Sequence, residues 1–160
     1  MMVNTVGKNY SEANIAYIAG FLDADGAIMA HVEPNRELTL RYRVRITLGL
    51  YQNHSDVLEW IYKILETGSI TQNSNRALYY WKTQDQNAIK LILTTLLPYL
   101  KVKQKQAELA LRILNSPIST KNELLFVATL ADTLSSLNVR SKNSGKKYVT
   151  MIKEHFSRND

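Results

Sequence analysis

Tyr17-Ile-Ala-Gly-Phe-Leu-Asp-Ala-Asp-Gly26 closes an apolar-periodic stretch that runs from Ala13 to Leu22. Ser11 stands just ahead of it, and its hydroxyl can accept a free backbone N–H of the first turn, so a helix starts here. The helix ends between Asp23 and Gly26, where glycine can take a turn conformation that a Cβ resists. Ala16, Gly20 and Ala24 recur at every fourth position, with Ala13 and Ala19 as further small residues. A stripe of this kind lets another helix approach closely. The chain holds no second copy, because Val127 to Thr133 lacks the glycine and the paired aspartates. A two-fold symmetric partner is then the natural source of the second helix. Close packing on the chain's own sheet is the plainer alternative. Asp23 and Asp25 sit at the helix end where the dipole disfavours negative charge. Mg²⁺ would compensate them, since it takes carboxylate, phosphate and water oxygens. One such acid is a poor site, and two brought together across a dimer axis are a workable one. The plainer alternative is that both merely terminate the helix.

The rest of the chain limits what such a helix can serve. Its 160 residues are 45% hydrophobic and 21% charged, which describes a folded domain able to bury a core rather than a disordered chain. The absence of Cys excludes disulfide frameworks, thiolate zinc sites, Fe–S clusters and thiol catalysis. No run of about 18 apolar residues would span a membrane. The first residues, Met1 to Ile15, lack an apolar signal core, so secretion is not expected. Twenty Lys and Arg against fourteen Asp and Glu leave a net charge of +6, which makes nucleic acid the leading class of partner.

Outward from the helix, residues 1–10 read as a polar lead-in, 11–138 as one domain and 139–160 as a basic tail. Ala27 to Glu33 and Leu40 to Leu50 make a hairpin across a polar loop at Pro34-Asn35. Asp56 to Leu65 carries the apolar stripe Val57, Leu58, Ile61, Ile64 and Leu65, and Gly68 stops it. Ile70 to Asn73 and Leu78 to Lys82 read as strands around a turn at Ser74-Asn75. Asp85 caps a helix to about Leu97, and Pro98 interrupts there. Further helices are expected at about Val102 to Asn115, Lys121 to Leu137 and Lys146 to Phe156. The order α-β-β-α-β-β-α, with extra helices behind it, makes an α+β domain in which helices cover one face of antiparallel hairpins.

Leu40 to Leu50 is the clearest strand. Leu40, Tyr42, Val44, Ile46, Leu48 and Leu50 point one way, and Arg41, Arg43, Arg45, Thr47 and Gly49 the other. The matching parity on the first strand offers Met29, His31 and Glu33. The later strands offer Thr71, Asn73, Tyr80 and Lys82. Arginine forks bind phosphates, or guanine O6 and N7, in two-pronged fashion. A mixed set suits base reading better than a pure phosphate grip. No acid is expected to oppose the arginine row. The plainer alternative is a solvated sheet face. A strand of about nine residues spans about 30 Å at ~3.3 Å per residue. That covers about nine base pairs, so a symmetric pair would read roughly 20.

Ile18-Ala-Gly-Phe-Leu-Asp-Ala-Asp-Gly26 resembles the LAGLIDADG motif: Ala19, Gly20, Asp23, Ala24, Asp25 and Gly26 match letter for letter, with apolar replacements at Ile18, Phe21 and Leu22. The likeness extends through Leu100-Lys-Val-Lys-Gln-Lys-Gln-Ala107 and covers residues 11 to about 138. It points to the single-motif, homodimeric group of LAGLIDADG homing endonucleases, of the intron-encoded algal organelle type. The resemblance implies the αββαββα fold with a saddle-shaped sheet in the DNA major groove. It implies motif helices of two subunits packed at the dimer axis through Ala16, Gly20 and Ala24. It also implies a double-strand break leaving 3′ overhangs in a pseudo-palindromic site.

By the same resemblance Asp25 and the backbone carbonyl of Ala24 hold the metal, Asp23 supports the helix end, Gln52 organises water and Lys103 stabilises charge at the phosphate. Without it, Gln52 is a plain polar strand end and Lys103 a solvated helix start. The contacting positions implied coincide with those from alternation and add Asn35. Leu38, in the hairpin loop, can touch a thymine methyl. Mg²⁺ is the implied cofactor, with Mn²⁺ as a substitute and Ca²⁺ binding without cleavage. The tail after Arg140 offers phosphate contacts at no assignable residue. Where a basic residue is expected after Gln52, this chain has Asn53-His54-Ser55-Asp56. Asp56 stands near that position, and His54 is the available substitute. An organelle that encodes the gene would need no transit peptide, and none is visible. The competing readings are an intron RNA maturase or non-cleaving DNA-binding protein on this scaffold, and a generic monomeric α+β module.

Overall fold

A computed structural model describes residues 2–5, 8–138 and 147–159. Helix α1 spans Glu12–Asp25, and the Ser11 hydroxyl accepts the Asn14 N–H at 3.2 Å, as the capping residue predicts. Its inward face carries Ile15, Ile18, Ala19 and Leu22, all buried. Burying an isoleucine or leucine of this kind contributes about 1.5–3 kcal/mol. Gly26 corrects the sequence expectation. Its φ is −108°, so the helix passes directly into a strand without a left-handed turn. Glycine is needed for space instead: a Cβ would meet the Leu22 side chain at 2.5 Å and its carbonyl at 2.8 Å.

Among the described residues, six strands form two sheets. β1 (Met2–Thr5) and β2 (Lys8–Ser11) pair antiparallel ahead of α1, where sequence alone suggested only a lead-in. The main sheet contains β3 (Gly26–Pro34), β4 (Tyr42–Gln52), β5 (Ser69–Asn73) and β6 (Leu78–Thr83), in the order β3-β4-β6-β5, all antiparallel. The register sets Met29 opposite Thr47, His31 opposite Arg45 and Glu33 opposite Arg43. Ile28, Ala30, Val32, Ile46, Leu48, Leu50 and Trp81 fill the inner face, which matches period-two alternation. β6 pairs with β4 only from Leu48 onward. At Ile46 the Gln86 side chain takes over, accepting the backbone N–H at 2.8 Å and donating to the carbonyl at 2.9 Å. Its amide thus stands in for the missing strand.

The helices follow the expected order: α2 (Asp56–Leu65), α3 (Gln86–Leu96), α4 (Gln104–Asn115), α5 (Lys121–Asn138) and α6 (Tyr148–Asn159). Asp85 caps α3 by accepting the Ala88 N–H at 3.0 Å. Pro98 sits in a 3-10 turn, Leu97–Tyr99, so α4 begins two residues later than the sequence suggested. α6 is the short helix expected within the basic tail, and it packs on the rest of the chain. Asp132 accepts the Tyr148 and Val149 N–H groups at 2.6 and 3.1 Å, the Tyr148 hydroxyl donates to the Ala30 carbonyl, and Ile152 is buried. Arg140 to Lys146, where the basic tail was expected to begin, lie outside the described residues.

Tyr10 is 5% exposed among apolar neighbours that include Ile15, Ile18 and Leu96, and its hydroxyl has no hydrogen-bond partner among the described residues. Burial, with Glu66 nearby, holds that phenol above its ordinary pKa. Tyr10→Phe removes an unsatisfied buried group without changing shape. Its unfolding free energy in urea is expected to be unchanged or up to about 1 kcal/mol higher. A loss above that margin would reveal a partner for the hydroxyl.

Candidate nucleic-acid interface and acidic cleft

The two aspartates at the end of α1 have separate surroundings. The Asp23 carboxylate accepts the Lys101 N–H at 2.8 Å and the Lys103 N–H at 2.9 Å, and the Lys103 ammonium donates to the Asp23 carbonyl at 2.5 Å. Burial opposes charge on Asp23, but the backbone donors of Lys101, Lys103 and Val102, with the Lys103 cation, outweigh it and hold the carboxyl below its ordinary pKa. Asp23 therefore ties the helix end to the segment that carries Lys103. Asp25 is exposed, and its side chain has no hydrogen bond or ion pair among the described residues. With Ala24 and Lys103 it borders an open cleft of ≈ 620 Å³.

Asp23→Asn keeps one acceptor oxygen and loses the charge. The expected cost is about 1 kcal/mol at neutral pH, at the low end because the group is partly solvated. The folded pKa is depressed, so this contribution is present above the ordinary carboxylate range and lost as pH falls through the folded value. Urea unfolding of wild type and variant should converge at acid pH. A gap that persists there would disprove the charge-assisted role.

Gln52 ends β4 two residues past the last β3 pair, Gly26 with Leu50; it pairs with Tyr79 of β6 and does not border the cleft that Asp25 and Lys103 share. Its Oε1 accepts the Asn53 N–H at 2.7 Å. Tyr51, which sequence reasoning missed, is the β4 residue that borders the cleft. Alternation alone could have found it, since it has the parity of Arg43 and Arg45. His54 and Asp56 are exposed at the start of α2.

The sheet face opposite the core carries most of the expected contact residues. Met29, His31 and Glu33 are half-buried on β3, Arg43 is exposed on β4, and Thr71, Asn73 and Lys82 are exposed beside half-buried Tyr80. Three expectations need correction. Arg41 does not join the row: it sits in the loop at φ 63°, donates to the Arg36 carbonyl and closes the turn that begins at Asn35. Thr47 has the right parity but is 0% exposed, and its hydroxyl accepts from Gln84. An acid does oppose the row: Glu33 accepts from the Arg45 guanidinium at 2.6 Å. Arg43 is left with no ion pair or side-chain hydrogen bond among the described residues. Asn35 and Asn73 use their side-chain oxygens to accept the Glu37 and Asn75 N–H groups, which leaves each amide NH₂ to donate outward. Leu38 is 40% exposed at the loop tip.

The small-residue stripe does not pack on the chain's own sheet. Ala13, Ala16, Gly20 and Ala24 are exposed, whereas Ala19 is buried in the chain's own core. A Cβ on Gly20 would meet nothing within 4 Å. Beside this face Tyr17 packs edge-on against Trp60, with ring centroids 5.3 Å apart.

A family model described as LAGLIDADG endonuclease matches residues 18–115. The chain is 32% identical over 140 residues to the DNA endonuclease I-CvuI of Chlorella vulgaris, covering 84% of this chain and 86% of that protein. It is 29% identical over 138 residues to the DNA endonuclease I-CreI of Chlamydomonas reinhardtii, covering 83% of each. Among solved structures, I-CvuI in complex with an I-CreI target in the presence of Mg, with the DNA not cleaved, aligns with a TM-score of 0.80 at 29% identity. That alignment covers 92% of this chain and 94% of the other.

Proposed function

The chain belongs to the LAGLIDADG endonuclease family and is a site-specific DNA endonuclease, and on that premise we propose that it cuts as a homodimer using a divalent metal. One observation carries the finer reading: the uncovered small-residue face of α1 ends at Asp25, an acid without a partner among the described residues, beside a sheet face bearing Arg43 and Lys82. Two copies joined through Ala16, Gly20 and Ala24 would bring both Asp25 side chains to one axis. The two sheets would then lie along the major groove on either side. Such a pair would read roughly 20 base pairs of a pseudo-palindromic site and leave 3′ overhangs.

The donor set suits a hard cation. The Asp25 carboxylate is exposed, and Ala24 lies in the last helical turn, where carbonyls lack intrahelical partners. Among the described residues no three His, Asp or Glu side chains converge, so one chain alone does not build a protein-only metal cage. DNA phosphate oxygens and a second subunit would complete the site. Bound Mg²⁺ polarises the phosphate and lowers the pKa of water, and Mn²⁺ is expected to substitute. Lys103, held by the Asp23 carbonyl, offsets negative charge developing at the phosphate. Gln52 orients water at the strand end. Arg43 and the Glu33–Arg45 pair face the bases. Expression in a chloroplast or mitochondrion belongs to the same proposal. No helix of the described residues is long and apolar enough to cross a membrane.

The test is cleavage of a randomised-site DNA library by purified protein with Mg²⁺, with Ca²⁺ and with EDTA. Cutting only with Mg²⁺, at one long near-palindromic site with 3′ overhangs, is the expected result. Specific retention without cutting in Mg²⁺ would replace it with a non-cleaving DNA-binding function, and point to His54 and Asp56 as the place where the site departs from the family. Competition by group I intron RNA would favour a maturase.

A further inference from the structure

Tyr51 stands where the sheet face meets the acidic cleft. It shares the outward face with Arg43 and lies directly opposite Tyr80 in the β4–β6 register. Its ring packs against that of Tyr80, with centroids 6.2 Å apart. It also lies over Gly49: a Cβ there would meet the phenol oxygen at 3.4 Å and ring carbons at 3.6 Å. A Cβ at position 49 would thus only touch the ring, a larger branched side chain would reach into it, and the neighbouring Tyr80 ring bounds it on the other side. The hydroxyl makes no hydrogen bond among the described residues, so it is available both to donate and to accept. The same residue borders the cleft with Asp25, Met29 and Lys103. A phenol thus lies on the base-facing strand beside Asp25, the acid proposed to hold the metal.

We propose that Tyr51 is a specificity-determining residue whose hydroxyl hydrogen-bonds the base pair next to each cleavage point. This rests on metal-dependent, site-specific cutting. A hydroxyl so placed can bond a donor or an acceptor on a base edge in the major groove, and loss of one such bond costs discrimination at one position.

The test starts from the site that the wild-type chain selects out of a randomised double-stranded DNA library, followed by a panel of duplexes each changed at one base pair. Wild type, Tyr51→Phe and Gly49→Val are compared for cutting in Mg²⁺ and for retention in Ca²⁺. Tyr51→Phe removes only the hydroxyl, and Gly49→Val displaces the ring while keeping it. Both are expected to reduce discrimination by about 5- to 10-fold at a single position in each half-site, adjacent to the cut, with outer positions unchanged. An unchanged profile at every position overturns the proposal. So does a uniform loss across the panel, which would mark a phosphate contact. Failure of the wild-type chain to select any site would overturn the cutting function itself, and the proposal with it.

Discussion

With Asp25 replaced by Asn, the protein is expected to keep its hold on specific DNA and to lose cutting by roughly 10³-fold or more. A metal supplies several kcal/mol of charge stabilisation to a reacting phosphate, and each 1.4 kcal/mol or so is a factor of ten in rate. Asn is nearly isosteric but a far weaker metal ligand, because it carries no charge. Asp25 is exposed and has no intramolecular partner among the described residues, so folding should not change. Binding should hold or tighten slightly, since one negative charge facing phosphate is gone. Paired measurements of retention in Ca²⁺ and single-turnover cutting in Mg²⁺ decide it. An equal loss of binding and cutting would mean that Asp25 shapes the interface rather than holding metal. Asp23→Asn is the natural companion, because Asp23 is already occupied by the Lys101 and Lys103 N–H groups.

Gly20→Leu should separate chain stability from assembly. In the single chain, leucine is about 0.5–1 kcal/mol better than glycine within a helix. The added side chain starts from a Cβ that would meet nothing within 4 Å. A dilute, monomeric chain should therefore unfold no earlier than wild type. At a two-fold helix contact the same side chain enters twice, and overpacking costs about 1–3 kcal/mol for each. The dimer dissociation constant is expected to rise roughly 100-fold or more, and double-strand cutting to fall with it. Sedimentation velocity over a concentration series reads this directly. A dimer of undiminished stability would place the subunit interface elsewhere on the molecule.

Local pattern made much of the fold legible. Ser11 and Asp85 cap the helices they were expected to cap, and the alternation of β3 and β4 puts Ile28, Ala30, Val32 and Ile46 inward. These features depend on a few neighbouring residues and on fixed backbone periods. Alternation misled where position along a strand mattered as much as side. Thr47 has the parity of Arg43 and Arg45, yet it sits where Gln84 covers it. Arg41 lies one residue before β4, where the chain reverses. Glu33 was read only as a member of a mixed face, but its reach to Arg45 depends on strand register.

Three determinations come from sequence alone: the α-β-β-α-β-β-α order, the paired acids at the end of a small-residue helix, and the shared parity of Arg43 and Arg45 on one strand face. Each is written in contiguous residues, whose spacing sets their relative directions before any packing occurs. Only the tertiary structure decided which face of α1 the chain leaves uncovered, that Asp23 is bound to residues 101–103 while Asp25 is not, and that α6 joins the core. It alone seated Tyr51 at the border of the cleft. Those outcomes depend on contacts between residues far apart in sequence, and no local period encodes which distant backbone N–H or side chain will arrive.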